Sequence, residues 1–232
     1  MKHTLAHPHK KVQLFPSYLF VYKYRDWPYD KQKIIDAIDE EEKLQTKRIE
    51  SGVAETMKGD GLVEGDFDFL KKSDKYPIIN KLNDFFHEAI ANVITHALPT
   101  EDPAYVLKKD VKEISPMIFE SWYHKTNKSG YHSLHCHPGS SWAGIFYVHT
   151  KDCKLENGNG INRWANVNSF WGPGDLGSHW WNGPSIYGIE PDEGTLVLFP
   201  AWMYHEATPY QGTDDRYVIA FNSVVLEGKH ND

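Results

Sequence analysis

Apolar and polar positions recur with two different periods along this chain, and the change of period divides it. Over Ile78–Leu98, Leu82, Phe85, Phe86, Ala89, Ile90, Val93 and Ala97 return at steps of three and four, the spacing of one buried helix face. This predicts a helix stopped by Pro99 that packs against one flank of a sheet. An earlier helix is expected from a cap at Asp30 to about Lys47, with Ile34, Ile35, Ile38 and Leu44 on one face and Asp39–Glu42 toward water. Val12–Lys23 is β-prone, and Pro16 within it points to a sheet edge. Glu50–Tyr76 is polar and Asp-rich and reads as a long irregular connection.

From Pro116 onward the pattern is that of strands. Ile118–Tyr123, Tyr131–His137, Trp142–His149, Thr195–Phe199 and Arg216–Val225 follow one another, separated by Gly, Pro, Asn and Asp. With no helix-length segment between them, they predict an antiparallel sandwich or barrel. Lys151–Pro191 is a Gly-, Asn- and Trp-rich stretch expected to be a lid or binding segment, or to carry short strands. The chain is expected to be a single domain over 1–232. Residues 1–115 would supply an N-terminal strand and supporting helices, and 116–226 the β core with its long insert at 151–191.

Composition narrows the partners. The chain has 232 residues, enough for one sizeable core. Lys and Arg number 25 against 32 Asp and Glu, a net charge of −7. With no strongly basic stretch, a nucleic-acid backbone partner is not expected. No run of 18 apolar residues exists to span a membrane. The first residues, MKHTLAHPHKK, lack the apolar core of a signal peptide. Cys136 and Cys153 are the two cysteines, too few for a disulfide framework, and a cytoplasmic location is expected. The 13 histidines are where chemistry begins.

His135 and His137 are two apart, so on a strand their side chains share a face with Cα atoms roughly 6.6 Å apart. Inside a small barrel that face looks into the cavity, and Pro138 would end the strand at its mouth. His205 follows after the strand Thr195–Phe199 and the break at Pro200. Two near ligands and one remote ligand would hold a metal on one side and leave the other side open. H-x-H alone also fits a solvated strand end. His132 and His149 are reserve ligands, although strict alternation puts His132 on the other face from His135. Arg216 is expected on a strand neighbouring His205. One face of that strand is Arg216, Val218, Ala220 and Asn222, suited to a cavity wall holding an anion. The other is Tyr217, Ile219, Phe221 and Ser223, suited to packing. A surface Arg216 paired with Asp214 or Asp215 is the competing reading.

In combination these segments resemble the 2-oxoglutarate- and Fe(II)-dependent oxygenases. The nearest group has the pattern H-x-H-P-x-S…S-G-x-Y-Y, F-P-S-W-x-x-H and R-x-S-x-x-F-N. The matching residues are His135-Cys136-His137-Pro138-Gly139-Ser140, Ala143-Gly144-Ile145-Phe146-Tyr147, Phe199-Pro200-Ala201-Trp202-Met203-Tyr204-His205 and Arg216-Tyr217-Val218-Ile219-Ala220-Phe221-Asn222. The resemblance covers roughly residues 116–225 well and the first half loosely. It implies a mainly β fold with flanking helices around a double-stranded β-helix, the jelly-roll or cupin-like core. It also implies Fe(II) on His135, His137 and His205, with 2-oxoglutarate and O2 as co-substrates and Arg216 receiving the distal carboxylate. The expected outcome is hydroxylation of a prime substrate, a peptidyl side chain such as prolyl or a small metabolite, with release of succinate and CO2.

Two departures stand out. The superfamily's Asp or Glu two residues after the first histidine is here His137. Val218 stands where the group often has Ser, so Tyr123, Tyr147 or Asn222 is expected to assist Arg216. His124 and His179 read as loop residues, and His179, Trp180 and Trp181 are candidate substrate contacts. Trp142 and Trp202 read as barrel filling. Two other readings keep parts of this evidence. A metal-dependent jelly-roll enzyme without 2-oxoglutarate makes Arg216 structural, and a non-enzymatic binding module makes the histidines incidental.

Overall fold

A computed structural model describes residues 18–46, 61–97, 114–166 and 185–227. Among the described residues, ten strands form two antiparallel sheets. The larger contains β1 (Phe20–Lys23), β2 (Leu62–Glu64), β3 (Ile114–Thr126), β5 (Trp142–His149), β8 (Thr195–Pro200) and β10 (Arg216–Glu227), in the order β1-β8-β5-β10-β3-β2. The smaller contains β4 (His132–His135), β6 (Asn162–Ala165), β7 (Ile186–Gly188) and β9 (His205–Ala207), in the order β4-β9-β6-β7. This is the expected jelly roll. Within the Lys151–Pro191 stretch, β6 and β7 are the short strands that carried no readable period. Among the described residues, no helix is long and apolar enough to cross a membrane.

Two cores lie on opposite faces of the large sheet. On one side, Phe146, Val148, Leu196, Leu198, Ile219 and Phe221 pack against the helices. On the other, Ala143, Ile145, Tyr147, Val197, Phe199 and Val218 pack toward the small sheet with Trp164. Period-two alternation along β5, β8 and β10 separates these sets, so the expected division of the Arg216 strand into a cavity face and a packing face holds. Gly144 marks the close fit. A Cβ there would lie 2.3 Å from the Phe221 ring, so the two matched motif positions interlock.

Helix α2 (Pro77–Ala97) buries Ile79, Leu82, Phe86, Ala89, Ile90 and Val93, as its period requires. Helix α1 runs Trp27–Thr46 and corrects two expectations. It starts three residues before Asp30, which sits inside the first turn and is fully buried. The Asp39–Glu42 run does not face water as a block. Asp30, Ile34, Ala37 and Glu41 recur at helical spacing, so both carboxylates lie on the buried stripe. Asp30 accepts hydrogen bonds from Tyr24, Lys33 and Lys81, and Glu41 from Lys72, Lys75 and Tyr76. Asp39 pairs with Lys125. Part of the supposed irregular connection is also ordered, as β2 and a 3-10 helix at Phe69–Asp74.

Burial alone would raise the Glu41 carboxyl, but the bonds from Lys72, Lys75 and Tyr76 outweigh it and hold the pKa at about 2. The unfolded value is about 4.3. The group therefore stabilises the fold fully above that value, and the contribution is lost as pH falls toward about 2. Glu41→Gln is expected to cost about 1–3 kcal/mol at pH 7, less than a fully buried pair because Lys75 is open to water. Denaturant unfolding should show the wild-type advantage shrinking on acidification through this window. A difference independent of pH would contradict the assignment.

Candidate metal centre

Strand β4 is shorter than expected and ends at His135, so His137 lies beyond it and is held by its backbone N–H donating to the Ala201 carbonyl at 2.8 Å. The convergence expected from alternation is nevertheless present. His135 pairs across the small sheet with His205 on β9. One ligand atom from each of His135, His137 and His205 falls within 4.8 Å of the others.

The backbone fixes how two of these rings face. His135 Nδ1 donates to the Ser133 carbonyl at 2.7 Å, and His205 Nδ1 to the Met203 carbonyl at 3.2 Å. This leaves each Nε2 lone pair for an ion. Burial, followed by the field of His132, lowers the His135 pKa to about 4. Burial and the neighbouring rings of His135, His132 and His124 lower His137 to about 4 as well. Burial likewise depresses His205. Neutral imidazole is the form that ligates metals.

The histidine lining is wider than the sequence suggested. His124 lies on the inward face of β3 and lines the cavity with His132, correcting its reading as a loop residue. His132 points inward beside His135, with their Nδ1 atoms 3.0 Å apart. Strict alternation failed because the β4–β9 register shifts between His132 and His135, and such a bulge re-aims a side chain. His149 is elsewhere, bonded to Glu193.

Arg216 does not neighbour His205 within a sheet. It begins β10 in the large sheet, and the small sheet bearing His205 faces it. Both line one cavity, with Ile145, Asn162, Phe199 and Val218 between. Arg216 is 2% exposed and donates from Nη2 to Asn162 Oδ1 at 2.9 Å. Its Nε has no partner, and no carboxylate among the described residues pairs with it, so the surface pairing with Asp214 or Asp215 is not what forms. The Tyr147 hydroxyl and Trp164 Nε1 are also buried without partners. These donors suit a buried carboxylate, and three neutral imidazoles suit Fe(II). Asn162 carries no signal of this role in the sequence, since its strand β6 is four residues long and shows no readable period.

Two proposed helpers of Arg216 are corrected. Tyr123 points to the helical side, where its hydroxyl donates to Gln45 and its ring meets Phe69 edge-on. It alternates with the inward Trp122 and His124. Asn222 is six residues along β10, roughly 20 Å from Arg216, and its amide donates to Glu120. Trp202 is 52% exposed rather than barrel filling, whereas Trp142 packs against the helical-side core. His179, Trp180 and Trp181 lie outside the described residues.

Comparison with known proteins agrees with this geometry. The family model described as "Putative 2OG-Fe(II) oxygenase" matches residues 120–222, the segment holding all three histidines and Arg216. A Trichoplax adhaerens prolyl hydroxylase, solved with a hypoxia inducible factor oxygen degradation domain peptide fragment, is 10% identical. The match covers 89% of this chain and 83% of that one with a TM-score of 0.51, which supports the fold. A collagen prolyl hydroxylase of Paramecium Bursaria Chlorella virus-1, solved with 2-oxoglutarate, is 10% identical over 88% of this chain and 94% of that one, with a TM-score of 0.49. A Burkholderia pseudomallei oxidoreductase of the 2OG-Fe(II) oxygenase family is 12% identical over 47% of this chain and 44% of that one, with a TM-score of 0.35. The chain thus spans less than half the length of the Burkholderia protein. No curated protein matches the chain. Over residues 120–222, with its jelly-roll strands and convergent histidines, this chain is similar to the 2OG-Fe(II) oxygenase family.

Proposed function

We propose that His135, His137 and His205 hold Fe(II), that Arg216 and Tyr147 receive the distal carboxylate of 2-oxoglutarate, and that the enzyme hydroxylates a peptide or small molecule. The observation that carries this reading is the pairing, in one cavity, of three convergent neutral imidazoles with a buried guanidinium that has no anion. Bound together, Fe(II) and 2-oxoglutarate supply the oxidising power to place one atom of O2 in a C–H bond, with 2-oxoglutarate leaving as succinate and CO2.

The residues themselves do three things. The Ser133 and Met203 carbonyls hold His135 and His205 in the tautomer that offers Nε2. Arg216 offers its unpaired Nε, and the Tyr147 hydroxyl donates beside it; burial raises the Tyr147 pKa, which keeps the phenol protonated. Apolar Ile145, Val197, Phe199 and Val218 exclude water from the wall between, which strengthens the charge pairing. With imidazole in place of a carboxylate at position 137, the protein contributes no negative charge to the triad itself.

The test is succinate formation from 2-oxoglutarate in a screen of prolyl peptides and small metabolites, coupled to a mass gain of one oxygen on the substrate. Succinate released with stoichiometric substrate oxidation is expected. An iron-loaded protein that neither binds 2-oxoglutarate nor yields succinate would favour the reading as a metal-dependent jelly-roll enzyme without 2-oxoglutarate.

A further inference from the structure

Beside the triad lies a second group of ligating side chains, Glu64, His124 and His132, which the oxygenase reading does not use. We propose that these three residues form a second binding site for a divalent transition ion of the Zn2+ or Fe2+ type.

The fold builds this cluster from both sheets. Glu64 on β2 is the cross-strand partner of His124 on β3, so the two side chains emerge together. His132 arrives from β4 in the small sheet. Its approach depends on Gly61 and Gly130, since a Cβ on Gly130 would meet the Gly61 backbone at 2.4 Å. The turn before it is tied by Asn127 N–H donating to the Gly61 carbonyl at 2.7 Å. An ion here would therefore join β2, β3 and β4 across the two sheets.

The spacing is that of a coordination polyhedron. His124 Nε2 and Glu64 Oε2 are 2.9 Å apart, and His132 Nε2 and the same oxygen are 3.9 Å apart. Ligand atoms on a tetrahedral ion at about 2.05 Å are roughly 3.3 Å from each other, between these two values. One donor atom from each residue lies within 4.8 Å of the others. The side chains are sheltered, at 11%, 16% and 21% exposure for His124, His132 and Glu64. Two imidazoles and one carboxylate also form a donor set that iron and zinc accept.

The environment of His124 is a second, independent observation. Trp122 Nε1 donates toward His124 Nε2 at 3.0 Å, which requires a lone pair on that nitrogen. Glu64 at 2.9 Å requires a proton between its oxygen and the same nitrogen, which carries either one lone pair or one N–H. One atom cannot meet both demands. A cation between ring and carboxylate satisfies the charged partner, and the contact displaced is one neutral hydrogen bond from the indole.

The two centres would be coupled, because His132 stands between them. It turns Nε2 toward Glu64 and Nδ1 toward His135 Nδ1, 3.0 Å away. An imidazole that binds metal through Nε2 carries its proton on Nδ1. With both ions bound, two N–H groups face each other across that gap. Filling one site should therefore weaken the other.

The test is equilibrium dialysis of the chelator-stripped full chain with Co2+, with metal analysis and visible absorption of the bound ion. The wild type should bind two ions per chain, the second at least tenfold more weakly. His124→Gln and, independently, Glu64→Gln should each lose one ion. His205→Ala should keep one, bound more tightly than the second ion of the wild type. One ion per chain in the wild type, lost in His205→Ala and kept in His124→Gln, would overturn the second site while leaving the triad standing. Two ions that both survive His124→Gln would overturn it as well, and would place the extra ion elsewhere, as on His3, His7 and His9.

Discussion

His205→Ala is expected to abolish both iron retention in the triad and the conversion of 2-oxoglutarate to succinate. Losing an outer partner of a metal ligand typically costs roughly 10–100-fold in affinity or activity, and loss of a direct ligand should exceed that. His205 is the remote ligand. On β9 (His205–Ala207) its neighbours are Glu206, which Arg163 holds, and Ala207, so no neighbour on its own strand substitutes for it. Iron content after dialysis and succinate formation measure the effect, and circular dichroism checks folding. Full succinate formation in this variant would mean that another ring, with His132 nearest, completes the centre.

Arg216→Met is expected to weaken 2-oxoglutarate binding by about 1.5–3 kcal/mol, the range for a hydrogen bond to a charged group. That is roughly 10–150-fold in Kd. Its effect on the ligand-free fold should be small or favourable. The guanidinium is buried with Asn162 as its hydrogen-bond partner and no carboxylate among the described residues, so removing it leaves no orphaned anion. Replacing buried charge by a well-packed apolar chain is often neutral or stabilising. In thermal unfolding, 2-oxoglutarate should raise the midpoint of the iron-loaded wild type and do little for the variant. An equal shift in both would make Arg216 structural, as in the reading without 2-oxoglutarate.

The parts legible in the sequence were those governed by a regular period over enough residues. The α2 stripe, the β5 and β8 strands and the two faces of β10 all follow from spacing alone. The H-x-H pair and His205 were visible as chemistry, and their grouping came from the family pattern rather than from any local rule. What escaped depends on tertiary contacts. Strands β6 and β7 are too short to show alternation, so Asn162 could not be identified as the partner of Arg216. The inward turn of His132 comes from a register shift between β4 and β9 that no residue type announces. An acidic run such as Asp39–Glu42 suggests a solvated face for Glu41. Its helical phase with Ile34 and Ala37 places it inside, and the lysines that neutralise it come from another segment. The face of Tyr123 depends on which side of β3 the helices cover, which no local pattern in the sequence states.

The most direct test is an anaerobic titration of the Fe(II)-loaded chain with 2-oxoglutarate, followed by visible absorption. A weak charge-transfer band that saturates at one equivalent and is missing from His205→Ala is the predicted result. Loaded iron that gives no band at saturating 2-oxoglutarate would contradict the claim that the diacid chelates a metal held by these three imidazoles.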